Sequence, residues 1–308
     1  MSLIGIDRGG VGRFPAEPFR IRHHLADHPL LTLEALAGLA IRLDRDRLEY
    51  NSGKLMPHQP PNEVPGIDLP PAEVVRQIET CGAWMVLKNV ETVPEYAALI
   101  RTALADAAAA LGDASGPTGM IDFQGFIFVS SANGVTPFHI DYEENFFVHL
   151  HGEKFMHVFD NRDRTLVPEA ELETYPGKHR NLAYLEAFEG RAKVFRFEPG
   201  DGLFLPYTWP HWVRTGNDWT ISMAITWKSP RDVRMNRLYL ANAVLRKLGM
   251  PQPVPGRYPA LDGVKIVAFG AAHALINPLR RSEGMRRRLR ALFFGRKANY
   301  YYGGEGRA

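Results

Sequence analysis

Residues 135–160 read VTPFHIDYEENFFVHLHGEKFMHVFD. The runs VTPFHIDY, NFFVHLHG and KFMHVFD are strand-sized and rich in Phe, Val and Ile, and Gly152-Glu153 marks a tight turn that sends the third run back antiparallel to the second. On a strand, His139 and Asp141 are two residues apart and project to the same face. Further along, past the turn EPGDG, the run LFLPYTWPHW brings His211. Two imidazoles and one carboxylate form the donor set that binds Fe(II) on one side and leaves three positions open for other ligands. A His-x-Asp pair alone is common by chance among eleven histidines. The strand-rich setting and the place of His211 just beyond the turn are what single it out.

Three more histidines lie close by. His149 and His151 share one strand face, and His157 follows, but none has a carboxylate two residues away, so surface, core or supporting roles suit them better than ligation. Lys154 opens KFMHVF directly after the turn. A lysine at a strand edge is usually solvated, whereas one inside a small barrel is costly unless an anion meets it, and the far carboxylate of a dicarboxylic acid is a natural partner.

Outward from this stretch, FQGFIFVSS, KVFRFEPGD, LFLP, HWVRTG and TISMAITW continue the strand pattern to about residue 230, with Gly, Asp, Asn or Pro between most of them. Closely spaced strands without long intervening helices predict an antiparallel barrel or sandwich rather than an α/β sheet. Residues 1–119 read as a helical and irregular region packing on that core: a helix after Thr32 as N-cap, a proline-rich extended stretch from Asn51 to Pro71, a short helix in AEVVRQIETCG, a strand in AWMVLKNV and a long helix from Pro94 to Leu111. Residues 231–308 return to helix. The expected architecture is a mainly β core over 120–230, wrapped by helices from both ends.

Of the 308 residues, 45% are hydrophobic and 23% charged, which excludes a disordered or fibrous chain. The single cysteine, Cys81, allows no internal disulfide and favours a reducing compartment; the charged start MSLIGIDRGG has no apolar signal core, and no stretch has the apolar length of a membrane span. The expectation is a cytoplasmic protein. Its net charge of +3 is uneven: residues 280–297 hold eight Arg or Lys against one Glu, a local +7, leaving −4 for the rest. That run suits an acidic surface or a solvated helix end, with Leu289, Leu292 and Phe293 at helical spacing among the arginines; no base-reading signature accompanies it, so nucleic acid is not the expected partner.

The motifs VTPFHID, ENFF, GEKF and PGDG-LFLP-TWPHW resemble the JmjC and cupin-like group of Fe(II)/2-oxoglutarate oxygenases, most of all the asparaginyl hydroxylase type that modifies hypoxia-inducible factor. The resemblance implies a double-stranded β-helix (a jelly-roll of cupin/JmjC type), with His139, Asp141 and His211 as iron ligands and catalytic centre. It implies Thr136 and Lys154 on the 5-carboxylate of 2-oxoglutarate, Asn145 as an amide beside that co-substrate, and Trp227 as a family position. The implied reaction hydroxylates a C–H bond of a protein or peptide side chain, consuming O2 and releasing succinate and CO2. It also implies a homodimer through the C-terminal helices. This chain departs from the pattern at SMAIT, where a second amide is missing, so that Thr226 or Ser222 is left to support the co-substrate. Tyr142, Glu143, Trp212 and Arg214 flank the ligands and are candidates for the substrate rim. The same residues allow other readings: the same chemistry on a small molecule or natural product, a metal-binding cupin without oxygenase activity, or an inactive regulatory module.

Overall fold

In the computed structural model, residues 2–58, 65–112, 119–174, 181–276 and 288 are described. Two compact units divide the chain. The first comprises Met1–Asp160 and Asn181–Ser229, and the second Asn161–Arg180 and Pro230–Ala308.

The first unit is built on twelve strands: β1 (Ile4–Gly5), β2 (Phe19–His23), β3 (Leu48–Ser52), β4 (Ala83–Lys88), β5 (Ile121–Ser130), β6 (Val135–His139), β7 (Glu144–His151), β8 (Lys154–Val158), β9 (Lys193–Phe197), β10 (Asp201–Leu205), β11 (His211–Thr215) and β12 (Thr220–Lys228). An eight-stranded antiparallel sheet runs in the order β1-β2-β10-β7-β12-β5-β4-β3, and a four-stranded one in the order β6-β11-β8-β9. The inner faces of the two sheets meet in one apolar cluster. Phe147, Leu203 and Leu205 come from the large sheet, and Met156, Val158, Phe195, Phe197 and Val213 from the small one. This is the double-stranded β-helix.

The outer face of the large sheet is covered by helices α2 (Leu33–Arg42), α3 (Pro71–Arg76) and α4 (Pro94–Leu111), while α1 (Arg8–Val11) is a single turn near β2. Alternation along β7 separates the two cores cleanly: Phe146, Val148 and Leu150 join the helix-side core, whereas Phe147 joins the barrel interior. Thr32 caps α2 by accepting from the Ala35 amide, and Pro94 opens α4 where its missing N–H is not needed. Gly125 lets α4 approach the sheet, because a Cβ there would fall 2.5 Å from Ile100 and 2.7 Å from Val90.

The N-terminal region differs from expectation. The large sheet takes four strands from residues 1–119, where one was predicted. β2 reads FRIRH and falls in the stretch expected to be helical or irregular. Its arginines face outward, while Phe19, Ile21 and His23 are buried. Pairing with β10 from Asp201↔Arg22 to Phe204↔Phe19 closes what would otherwise be an open sheet edge.

The second unit contains α5 (Glu169–Thr174), α6 (Pro230–Lys247) and α7 (Pro259–Ile276). A buried charge network ties it together. The Glu173 carboxylate accepts from Asn242 Nδ2 at 3.1 Å and from the Arg246 guanidinium, and Lys265 Nζ donates to Asn242 Oδ1 at 2.9 Å. The basic run 280–297 lies outside the described residues, apart from Arg288. No helix among the described residues is long and apolar enough to cross a membrane.

Candidate metal centre

The pairing of β6 with β11 positions the centre. His139 lies opposite His211, but Thr136 rather than Pro137 lies opposite Val213, so β6 carries one extra residue there. This bulge turns both Thr136 and His139 toward the interior although they are three apart, and sends Phe138 outward against Phe159, Tyr184 and Phe188. Pro137 suits the bulge because it has no N–H to leave unpaired. β6 ends at His139, so Asp141 sits just beyond the strand rather than within it. The Asp141 carbonyl accepts from the Thr208 amide at 2.8 Å, which fixes this segment beside the His211 loop.

His139, Asp141 and His211 converge. One ligand atom from each lies within 4.8 Å of the others, and both histidine Nε2 atoms are 3.9 Å from Asp141 Oδ2. Main-chain carbonyls orient the two rings. His139 Nδ1 lies 2.7 Å from Pro137 O and His211 Nδ1 3.0 Å from Trp209 O. A carbonyl can only accept, so each Nδ1 carries the hydrogen and each Nε2 presents a lone pair to the common point. Burial, with His139 as a lesser cause, pushes the His211 imidazole down to about 3 and keeps it neutral. Two imidazoles and a carboxylate on one side of a shared point form a facial triad fitted to a divalent transition metal.

Lys154 faces the interior from the start of β8, opposite Thr215 and Phe197. It is 3% exposed, and its ammonium stands 5.9 Å from the centre of the Phe147 ring. No carboxylate lies within ion-pairing distance of it among the described residues, and burial pushes its pKa down to about 7. Across the interior, Asn145 on β7 pairs in register with Thr226 on β12. Asn145 Oδ1 and Thr226 Oγ1 are both buried without a hydrogen-bond partner. A buried lysine with no carboxylate beside it among the described residues, and an orphaned threonine hydroxyl able to donate, fit a small polar dianion such as 2-oxoglutarate, whereas Asn145 Oδ1 is an acceptor and calls for a donor.

Thr136 accepts a hydrogen bond from Trp84 Nε1 at 3.0 Å, which leaves its hydroxyl hydrogen to donate elsewhere. Trp84 on β4 was not anticipated, since nothing in AWMVLKNV marks it apart from a core aromatic. Ser222 does not stand free to support a co-substrate, because its hydroxyl lies 3.1 Å from His149 Nδ1. His149 Nε2 donates to the Gly152 carbonyl at 2.9 Å, so its Nδ1 accepts from Ser222. The fully buried ring is held neutral, down to about 3 by burial and then by Lys154. His151 stacks on Trp219 and His157 on Trp212, away from the triad.

The rim candidates divide. Tyr142 packs edge-on against Tyr207 at 5.6 Å, and the buried Glu143 carboxylate lies 3.8 Å from Lys228 Nζ. Trp212 and Arg214 alternate with His211 and Val213, so they occupy the opposite face of β11. There Trp212 stacks on His157 and donates to Glu189, while Arg214 covers Phe155 at 3.9 Å. The alternation of β11 thus separates these two rim candidates from the face that carries His211.

Residues 82–233 match the cupin-like domain family. The match covers just under half of the chain and includes β4 to β12, hence the triad, Thr136, Asn145, Lys154 and Thr226. It is to the cupin-like family at large and not specifically to the asparaginyl hydroxylase type that the motifs suggested. Among curated protein sequences, none matches the chain. Similar solved structures include the X-ray structure of YcfD from Escherichia coli, with a TM-score of 0.49 at 17% identity over 93% of this chain and 71% of that one. Another is the Escherichia coli ribosomal oxygenase YcfD in complex with cobalt and 2-oxoglutarate, with a TM-score of 0.44 at 15% identity over 90% of this chain and 67% of that one.

Proposed function

We propose that this cupin-like chain is an Fe(II)- and 2-oxoglutarate-dependent oxygenase that hydroxylates a C–H bond of a protein or peptide side chain. The observation that carries the reading is the joint placement of the triad and the buried, anion-free Lys154 on the inner face of one barrel. Iron held by His139, Asp141 and His211, together with 2-oxoglutarate, would supply the oxidising power, with O2 consumed and succinate and CO2 released. The chain's own residues bind and orient. The Lys154 ammonium pairs the distal carboxylate, the Thr136 hydroxyl donates to it, and Asn145 and Thr226 complete the polar lining. The apolar wall of Phe147, Leu203, Leu205 and Phe195 excludes water from that end of the co-substrate. The polypeptide class of the substrate is supported by the likeness of residues 135–160 and 200–212 to oxygenases of JmjC type.

The test is direct. The purified protein with Fe(II) binds 2-oxoglutarate, and a peptide panel stimulates succinate release with a mass gain of one oxygen on the responsive peptide. Failure to bind 2-oxoglutarate, together with no succinate above background, refutes the oxygenase reading. Succinate release coupled to a small molecule alone refutes the polypeptide part.

A further inference from the structure

Trp84 stands on β4, outside the strands that carry the triad. Met85 and Leu87 turn into the helix-side core, so alternation sends Trp84 to the other face of the strand. From there its Nε1 donates to Thr136 Oγ1 at 3.0 Å, joining the large sheet to β6 of the small one across 52 residues of sequence. That bond is not needed to hold β6, whose main chain is fixed on its own account. Val135 N–H donates to the Gly53 carbonyl at 3.2 Å and Phe138 N–H to the Pro57 carbonyl at 2.9 Å, while β11 pairs with the strand from Val135 to His139.

The bond sets the sense of one hydroxyl. A threonine hydroxyl left to itself rotates to donate or to accept, whichever its neighbour requires. An indole N–H can only donate, so Trp84 occupies one lone pair of Thr136 and turns the hydroxyl hydrogen away from itself. Thr136 lies opposite Val213 and Lys154 opposite Thr215, neighbouring positions on the inward face of β11. The two donors therefore address one end of the interior, with His211 at the other end of the same strand. An oxygen that only accepts completes the chain from indole to hydroxyl to ligand, and each bond in such a chain polarises the next. An apolar group at that place leaves the hydroxyl hydrogen unpaired.

We propose that Trp84 is a positioning residue for the co-substrate: its indole N–H makes Thr136 an obligate donor toward the distal carboxylate of 2-oxoglutarate. This rests on the oxygenase reading above. The test compares 2-oxoglutarate with 2-oxopentanoate, which carries a methyl group in place of the distal carboxylate, by calorimetry on the Mn(II)-loaded full-length protein. Trp84→Phe should weaken 2-oxoglutarate about five- to tenfold and leave 2-oxopentanoate within about twofold. In a Thr136→Val background the same change should cost less than about twofold, because no hydroxyl remains to be aimed. Should Trp84→Phe fail to fold, the wild-type protein still decides. In its Zn(II)-loaded form the Trp84 indole proton should move downfield in the NMR spectrum on adding 2-oxoglutarate and stay in place on adding 2-oxopentanoate. Its resonance is the one among the five indoles that Thr136→Val displaces. Equal losses for both ligands, additive losses from the two substitutions, or an unmoved indole proton overturns this proposal and leaves the oxygenase reading standing. Absence of 2-oxoglutarate binding to the wild-type protein overturns both.

Discussion

At the scale of single residues, Lys154 is the most exposed to experiment. Its pKa falls from 10.5 to about 7 on burial, so between those values the unfolded chain holds a proton that the folded chain has lost. Stability from this group is therefore fully present above 10.5 and is lost as pH falls through 7. The melting temperature of the ligand-free protein should rise from pH 7 to pH 9, and Lys154→Met should remove that rise. A bound dicarboxylate needs the ammonium form. Calorimetry above pH 7 in buffers of different ionisation enthalpy should therefore show proton uptake on 2-oxoglutarate binding, and Lys154→Met should weaken binding about 10- to 100-fold. At the triad, Asp141→Ala should abolish tight Mn(II) binding without lowering the melting temperature. Retained stoichiometric metal binding in that variant would remove Asp141 from the ligand set. These residues were legible in the sequence because ligand spacing is local and chemically typed. Asn145 and Thr226 as a pair were not, since their adjacency exists only in the register of β7 with β12.

Elements raise a different set of constraints. The aromatic stack behind the large sheet joins Phe146 to Trp227 at 4.6 Å and Phe204 to Phe19 at 4.9 Å, linking β7, β12, β10 and β2. Phe204→Ala should cost about 3–5 kcal/mol in denaturant unfolding, with the metal affinity of the surviving folded protein little changed. The β7–β8 turn is tighter still. Gly152 has φ +77°, and a Cβ there would lie 2.2 Å from the Trp219 carbonyl. Gly152→Ala should therefore destabilise the fold and also shift Lys154 at the head of β8, weakening 2-oxoglutarate binding. Strands β4 to β12 announce themselves by short apolar runs between turn residues. β1 to β3 do not, because they are short, carry exposed charges and become strands only by pairing with partners far along the chain.

On the scale of the whole molecule, sequence averages mislead. The +3 net charge conceals a basic end and an acidic remainder. The reading of a core confined to residues 120–230 overlooked that the first twenty-three residues close the β10 edge. Deleting residues 1–24 should leave that edge unpaired and give aggregation on expression; a soluble, monomeric truncated protein would show that β2 is dispensable.

Both metal-facing imidazoles are steered by a carbonyl two residues earlier, Pro137 O for one and Trp209 O for the other. A main-chain oxygen is present whatever side chain its residue bears. The orientation of the two rings is thus insulated from mutational drift in the residues around them, and the donor set keeps its geometry while its neighbours vary.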